Sequence, residues 1–185
     1  MNKNFKHFLN LDEIKSIDIK TILSESHELK KNYKNKKFKE KKILAMIFEK
    51  PSTMTRVSFE VGMKQLDGDV VILDHADSQL GRGESLEDTM KVLSKYVDII
   101  VYRGSHERKL YELSKLSSVP MINGLTDQSH PCQIIADIMT LEEKFNSLDG
   151  LNICWVGDGN NVCNSWIHSC KHFNFKFNIS CPLGN

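Results

Sequence analysis

The sequence predicts an α/β protein: a three-layer domain with a parallel sheet over residues 1–146, then the start of a second α/β domain over residues 147–185. Three observations predict it. Short apolar runs bounded by turn residues, such as Ile43–Phe48, have the length of buried strands. They alternate with segments whose apolar residues recur at helical spacing, and strand–helix alternation implies a parallel sheet covered on both faces. The polar segment Asn146-Ser147-Leu148-Asp149-Gly150 then interrupts the pattern and marks a boundary.

The elements follow in order. Leu11 to Leu29 reads as one amphipathic helix on Leu11, Ile14, Ile17 and Ile22. Ile43–Phe48 is a strand and stops at Pro51-Ser52-Thr53; a helix covers Val57 to Leu66 and a strand Val70 to Leu73. Ser85-Leu86-Glu87-Asp88 fits a capping box and opens a helix to about Tyr96. Val97–Tyr102 and Val119–Ile122 are strands, with a helix over Glu107–Leu116 between them. Pro131 starts a helix that ends at Phe145. In the second domain, strands Leu151–Val156 and Phe175–Ser180 flank a helix over Val162–His172.

Bulk properties narrow the function classes. A net charge of +1 singles out no charged partner. Eight lysines lie between Lys30 and Lys42. They read either as an anionic-surface or nucleic-acid patch or as a solvated helix end. No aromatic platform accompanies them, so no nucleic acid is expected. No apolar run is long enough to span a membrane, and the N-terminus lacks a secretory core, so no membrane partner is expected. Five cysteines without a C-x-x-C argue for reduced thiols and a cytoplasmic location. His168 and His172 lie four apart on a helix, which suits either a metal pair or a solvated face. Without a third ligand, no metal is expected. Gly157-Asp158-Gly159 lacks the third glycine of a dinucleotide fingerprint, Val162 standing in its place.

In an open parallel sheet, ligands bind beyond the carboxyl ends of the strands, and three polar segments fall there. Pro51-Ser52-Thr53-Met54-Thr55-Arg56 joins hydroxyls to a helix N-terminus, which favours an anion. Arg103 ends a strand and can fork onto phosphate or carbonyl oxygens. His130 and Gln133 open a helix about one turn apart and offer two polar groups. Taken singly, these features also suit a helix cap, a surface ion pair and a structural histidine.

Together they carry a resemblance. Phe48-Glu49-Lys50-Pro51-Ser52-Thr53-Met54-Thr55-Arg56 resembles the S-T-R-T-R signature of the aspartate and ornithine carbamoyltransferase family. Gln79-Leu80-Gly81-Arg82-Gly83-Glu84-Ser85 resembles its mobile loop. Tyr102-Arg103-Gly104, Asn123-Gly124-Leu125 and His130-Pro131-Cys132-Gln133 follow in family order. Arg82 and the Asn160-Asn161 pair resemble the ornithine branch. The resemblance implies transfer of a carbamoyl group from carbamoyl phosphate to the δ-amine of L-ornithine, without a cofactor. It assigns carbamoyl phosphate to Ser52, Thr53, Thr55, Gln79, Arg103, His130 and Gln133, with Arg103 and His130 catalytic. Asn161 is assigned to ornithine. It also implies a homotrimer built through the N-terminal domain, with Gln79 entering a neighbour's site. Putrescine, acylated ornithine and aspartate are alternative acceptors, and a non-catalytic anion-binding paralogue is the alternative class.

Two departures qualify the match. Met54 stands where the signature has its middle arginine, and it offers neither donor nor charge. The family's D-x-x-x-S-M-G and H-C-L-P segments do not occur, so this chain alone is expected to make little or no citrulline.

Overall fold

The computed structural model describes residues 6–74 and 85–182. The N-terminal helical segment is split. Asn10 accepts a hydrogen bond from the Leu11 amide at 2.8 Å and caps a single 3-10 turn over Leu11–Glu13. Ile14 is extended, so α1 starts only at Ser16 (Ser16–Asn32). Hydrophobic periodicity ran through this break because Leu11 and Ile19 face the same core.

β1 (Ile43–Phe48) is the buried centre of a four-stranded sheet. α2 (Thr53–Gln65) crosses to β2 (Asp69–Asp74), α3 (Leu86–Leu93) to β3 (Ile99–Arg103), and α4 (Glu107–Leu116) to β4 (Met121–Leu125). The order is β2-β1-β3-β4 and every pair is parallel. Because side chains alternate along a strand, β1 serves two layers. Ala45 and Ile47 pack with Met90 of α3 and with Leu110 and Leu113 of α4. Leu44, Met46 and Phe48 pack with Phe59 and Met63 of α2. Helices therefore cover both faces, as the alternation implied.

Several element ends differ from the sequence reading by a few residues, and three of the shifts have a clear local reason. α2 begins at Thr53 because the Ser52 hydroxyl accepts the Thr55 amide at 3.3 Å. β3 begins at Ile99: the Asp98 amide donates to the Ile43 carbonyl (2.9 Å), but the Ile43 amide is taken by the Asp98 carboxylate (2.8 Å). β4 begins after Pro120, which has no amide to donate, and runs through Asn123-Gly124-Leu125 past a register shift between Tyr102 and Arg103. Its outer edge is covered by the N-terminal segment: the Phe8 amide donates to Met121 (2.7 Å), and Asn123 donates back to Phe8 (2.8 Å).

α5 (Pro131–Phe145) leads to a second, two-stranded parallel sheet of β5 (Asn152–Val156) and β6 (Lys176–Ser180), joined by α6 (Asn161–Ser169). One face of that sheet, with Ile153, Trp155 and Phe177, packs with Trp166 against α1 and α5. Trp166 stacks on Phe177 and meets Phe175 edge-on, both at 5.8 Å. The apolar face of α6 is therefore covered. The outer face of the sheet is open, and Val156 is 78% exposed.

The two histidines of α6's end are neither a metal pair nor a solvated face. α6 ends at Ser169, and His172 is buried beyond it, its Nε2–H on the Leu11 carbonyl (2.7 Å) and its Nδ1 against the Ser16 hydroxyl (2.9 Å). His168 meets Asn10 at 2.8 Å. Both dock the second layer onto the N-terminal segment. Four of the eight lysines in the stretch form ion pairs: Lys30 with Glu143, Lys37 with Asp67, Lys41 with Asp69 and Lys42 with Asp98. This favours the solvated-surface reading.

Candidate active site

The site lies where β1, β3 and β4 end. Ser52 is extended and caps α2, and Thr53 and Thr55 occupy the first turn of that helix. The first amides of a helix have no internal partners and carry the positive end of its dipole. Arg103 is the last residue of β3 and sits beside Phe48, the last of β1. Its guanidinium donates to the Thr55 hydroxyl at 3.0 Å, which ties the strand end to the helix start. Its Nε is buried and has no hydrogen-bond partner among the described residues. A buried donor left unsatisfied is costly and rare, so an acceptor is called for at this point.

His130 occupies the N-cap position of α5, ahead of Pro131. Its ring Nδ1 is likewise buried without a partner among the described residues. Burial, and then the nearby Arg103 charge, lower its pKa to about 4. The imidazole is therefore neutral at pH 7 and acts as a hydrogen-bonding group without adding charge. Burial also lowers the pKa of Arg103 from its ordinary value. Together the site presents a helix N-terminus, three hydroxyls, one desolvated cation and one neutral imidazole.

A second set of residues holds the Arg103 end of β3. The Glu49 amide donates to the Arg103 carbonyl at 2.9 Å. The Glu49 carboxylate accepts the Tyr102 hydroxyl at 2.6 Å and pairs with Lys109. Burial, then Glu49, raise the Tyr102 pKa, so the phenol stays a donor. Gly104 is required by this arrangement: a Cβ there lies 2.6 Å from Tyr102 Cζ and 2.8 Å from Glu49 Oε2. Neither Glu49 nor Tyr102 was singled out from sequence. Their place beside the ends of β1 and β3 was the available signal.

The remaining expected residues divide. Gln133 stands on the first turn of α5 but is exposed, with its amide donating to Asp137 at 2.8 Å. Asn161 opens α6 and donates to the Thr126 carbonyl at 2.6 Å, which brings it to the loop carrying His130. Asn160 caps α6 through the Val162 and Cys163 amides. Gln79 and its loop through Glu84 lie outside the described residues. Met54 is 78% exposed on the first turn of α2, so its side chain contributes little to the packing there. Burial pushes the Cys132 thiol up to about 12, which favours its protonated form, and the thiol faces the Asn123 carbonyl at 3.4 Å. Among the described residues, no cluster of histidine, cysteine or carboxylate could hold a metal ion. No helix among the described residues is long and apolar enough to cross a membrane.

A parallel α/β sheet with an anion-accepting centre at its strand ends defines the class. Residues 6–143 match the carbamoyl-phosphate-binding domain of aspartate/ornithine carbamoyltransferase, and residues 149–185 match its aspartate/ornithine-binding domain. The chain belongs to the aspartate/ornithine carbamoyltransferase family. An ornithine carbamoyltransferase of Rhodopseudomonas palustris (strain BisA53) is 48% identical over 96% of this chain and 59% of its own length. One from Rhizobium johnstonii is 48% identical over 97% and 60%. Among solved structures, the ornithine carbamoyltransferase of Burkholderia thailandensis E264 has a TM-score of 0.91 at 41% identity, covering 97% of this chain and 63% of that one. The catalytic subunit of M. jannaschii aspartate transcarbamoylase has a TM-score of 0.87 at 34% identity, covering 97% and 61%. The chain thus spans 59–60% of the length of the curated relatives named.

Proposed function

We propose that the protein serves transfer of a carbamoyl group from carbamoyl phosphate to the δ-amine of L-ornithine, giving L-citrulline and phosphate, in arginine metabolism. The observation that carries this reading is a pair of buried nitrogens without a partner among the described residues: Nε of Arg103, which is tied to the start of α2, and Nδ1 of His130 near Arg103. Phosphate oxygens take the α2 amides, the Ser52, Thr53 and Thr55 hydroxyls and the Arg103 guanidinium. The carbamoyl oxygen faces Arg103 and His130, whose N–H groups stabilise the oxyanion as the uncharged amine attacks. The new C–N bond forms, the C–O bond to phosphate breaks, and the amine loses a proton as phosphate departs. A donor aimed at such an oxyanion is worth roughly 3–4 kcal/mol. Gln133 reaches the carbamoyl group by releasing Asp137.

Asn161 and the relatives named for ornithine favour that acceptor over aspartate. In this reading, residues 1–146 bind carbamoyl phosphate and residues 147–185 begin the ornithine-binding domain. A cytoplasmic homotrimer joins through the first domain, with Gln79 entering a neighbour's site. The second reading, an anion-binding paralogue without chemistry, is favoured by Met54 alone.

The test is calorimetry of carbamoyl phosphate with the wild-type chain and with Arg103→Ala, beside a citrulline assay. The assay compares this chain with one extended by the C-terminal part of a relative. Binding that Arg103→Ala abolishes, and citrulline from the extended chain only, are expected. Equal binding by both proteins refutes the site.

A further inference from the structure

The carbonyl of His130 is held by its own helix, accepting the Gln133 and Ile134 amides (3.2 and 3.4 Å), but its N–H is not. His130 stands at the N-cap position of α5 without a side-chain cap bond, and its backbone N–H instead donates to Ser165 Oγ at 2.8 Å. Ser165 lies on α6, 35 residues further on, and is fully buried. Its hydroxyl in turn donates to the Asn161 carbonyl at 2.9 Å. One oxygen therefore accepts from the residue proposed to polarise the carbonyl and donates to the residue proposed for the amine substrate. Two further bonds run the same way: Asn161 Nδ2 to the Thr126 carbonyl (2.6 Å) and Asn164 Nδ2 to the Gln128 carbonyl (3.3 Å). Within the loop, the Thr126 amide donates to the Ser129 carbonyl (2.9 Å) and the Ser129 amide to the Thr126 hydroxyl (3.1 Å). Thr126 and Ser129 are both fully buried, so the loop is a closed turn docked on the first turn of α6.

A hydroxyl at this place has no need to meet substrate to matter. The His130 ring follows its main chain, which is fixed on the carbonyl side by the α5 amides and on the N–H side by Ser165. We propose that Ser165 is a positioning residue: it fixes His130 against the carbamoyl group and couples that group's placement to Asn161 on the second layer. The inference rests on the carbamoyl-phosphate reading of the site and adds a residue that makes no contact with the ligand.

The coupling is selective, and selectivity is what separates it from a role in folding. Inorganic phosphate and carbamoyl phosphate share the anion but differ in the carbamoyl group. Phosphate is held by the α2 start and Arg103, which Ser165 does not touch, whereas the carbamoyl oxygen needs His130 in place. The test is titration of the 185-residue chain with carbamoyl phosphate and, separately, with inorganic phosphate, followed by calorimetry or by amide NMR shifts. It is done for wild type, Ser165→Ala and Ser165→Thr. In Ser165→Ala, carbamoyl phosphate binding weakens about tenfold, the scale of one lost neutral hydrogen bond, while phosphate binding is unchanged. Ser165→Thr, which keeps the hydroxyl, restores at least part of the difference.

Three results overturn the proposal. One is unchanged carbamoyl phosphate binding in Ser165→Ala. Another is equal loss of both ligands, which makes Ser165 a fold residue only. The third is a threonine variant with no more selectivity than alanine. Failure of the wild-type chain to distinguish carbamoyl phosphate from phosphate instead sinks the underlying reading of the site.

Discussion

Met54 stands where the family signature carries an arginine, and its exposure leaves room for a longer side chain at the start of α2. Restoring a guanidinium there adds a charge-assisted contact to phosphate, worth about 1.5–3 kcal/mol. Met54→Arg is therefore expected to tighten carbamoyl phosphate by about tenfold or more in a calorimetric titration. No gain means another cation already holds that oxygen. His130 gives a pH signature. Its folded pKa of about 4 lies below its ordinary 6.5, so the unfolded chain takes up a proton that the folded chain refuses. Stability from this group is complete above the ordinary value, falls as pH drops through the interval towards 4, and changes no further below it. Nitrogen NMR should show a neutral His130 ring at pH 6, and His130→Asn should flatten the loss of thermal stability between pH 7 and 5. A ring that titrates near its ordinary value contradicts the buried geometry. Ser52, Arg103 and His130 were legible in the sequence because strand ends and helix starts announce themselves locally. The contact from Asn161 to Thr126 was not, because it joins residues 35 apart through a docking that no local pattern encodes.

At the scale of elements, the strand–helix alternation was read correctly throughout, while ends moved by a few residues. The shifts trace to groups that compete for backbone hydrogen bonds. Ser52 captures the Thr55 amide, Asp98 captures the Ile43 amide, and Pro120 withholds one. Such contests are decided by partners in space, so apolar patterning alone misses them. The junction of β3 with the loop after it offers a sharp test. Gly104→Ala drives a methyl group against the Tyr102 ring and the Glu49 carboxylate, both part of the brace behind Arg103. Overpacking of this kind costs about 1–3 kcal/mol, and loss of the brace adds to it. Urea unfolding should show that loss as a lower midpoint at unchanged slope. A variant as stable as wild type means the Tyr102 ring has room to move aside.

On the whole molecule, the second sheet shares a core with α1 and α5, and α5 also packs on β4 of the first sheet; Trp166 is the largest side chain that α6 buries in that core. Trp166→Ala removes that contact at a cost of about 3–5 kcal/mol. The sequence has two tryptophans, so the variant leaves Trp155 as the only fluorescent reporter of the second layer. Its fluorescence transition in denaturant should precede the loss of helical circular dichroism, where wild type shows both together. Coincident transitions in the variant mean the layers are joined mainly by other contacts, such as the His172 bonds. The parallel bridge between Phe8 and Ile122 carries a different consequence. The segment around Phe8 is synthesised before β4 and has no partner on that sheet until β4 is made. On the ribosome it trails undocked while more than a hundred later residues emerge, and β1, β2 and β3 can pair before it. The outer edge of β4 is covered only when this earlier segment returns to it, so until then the newborn chain presents an open strand edge, a surface prone to pairing with other chains.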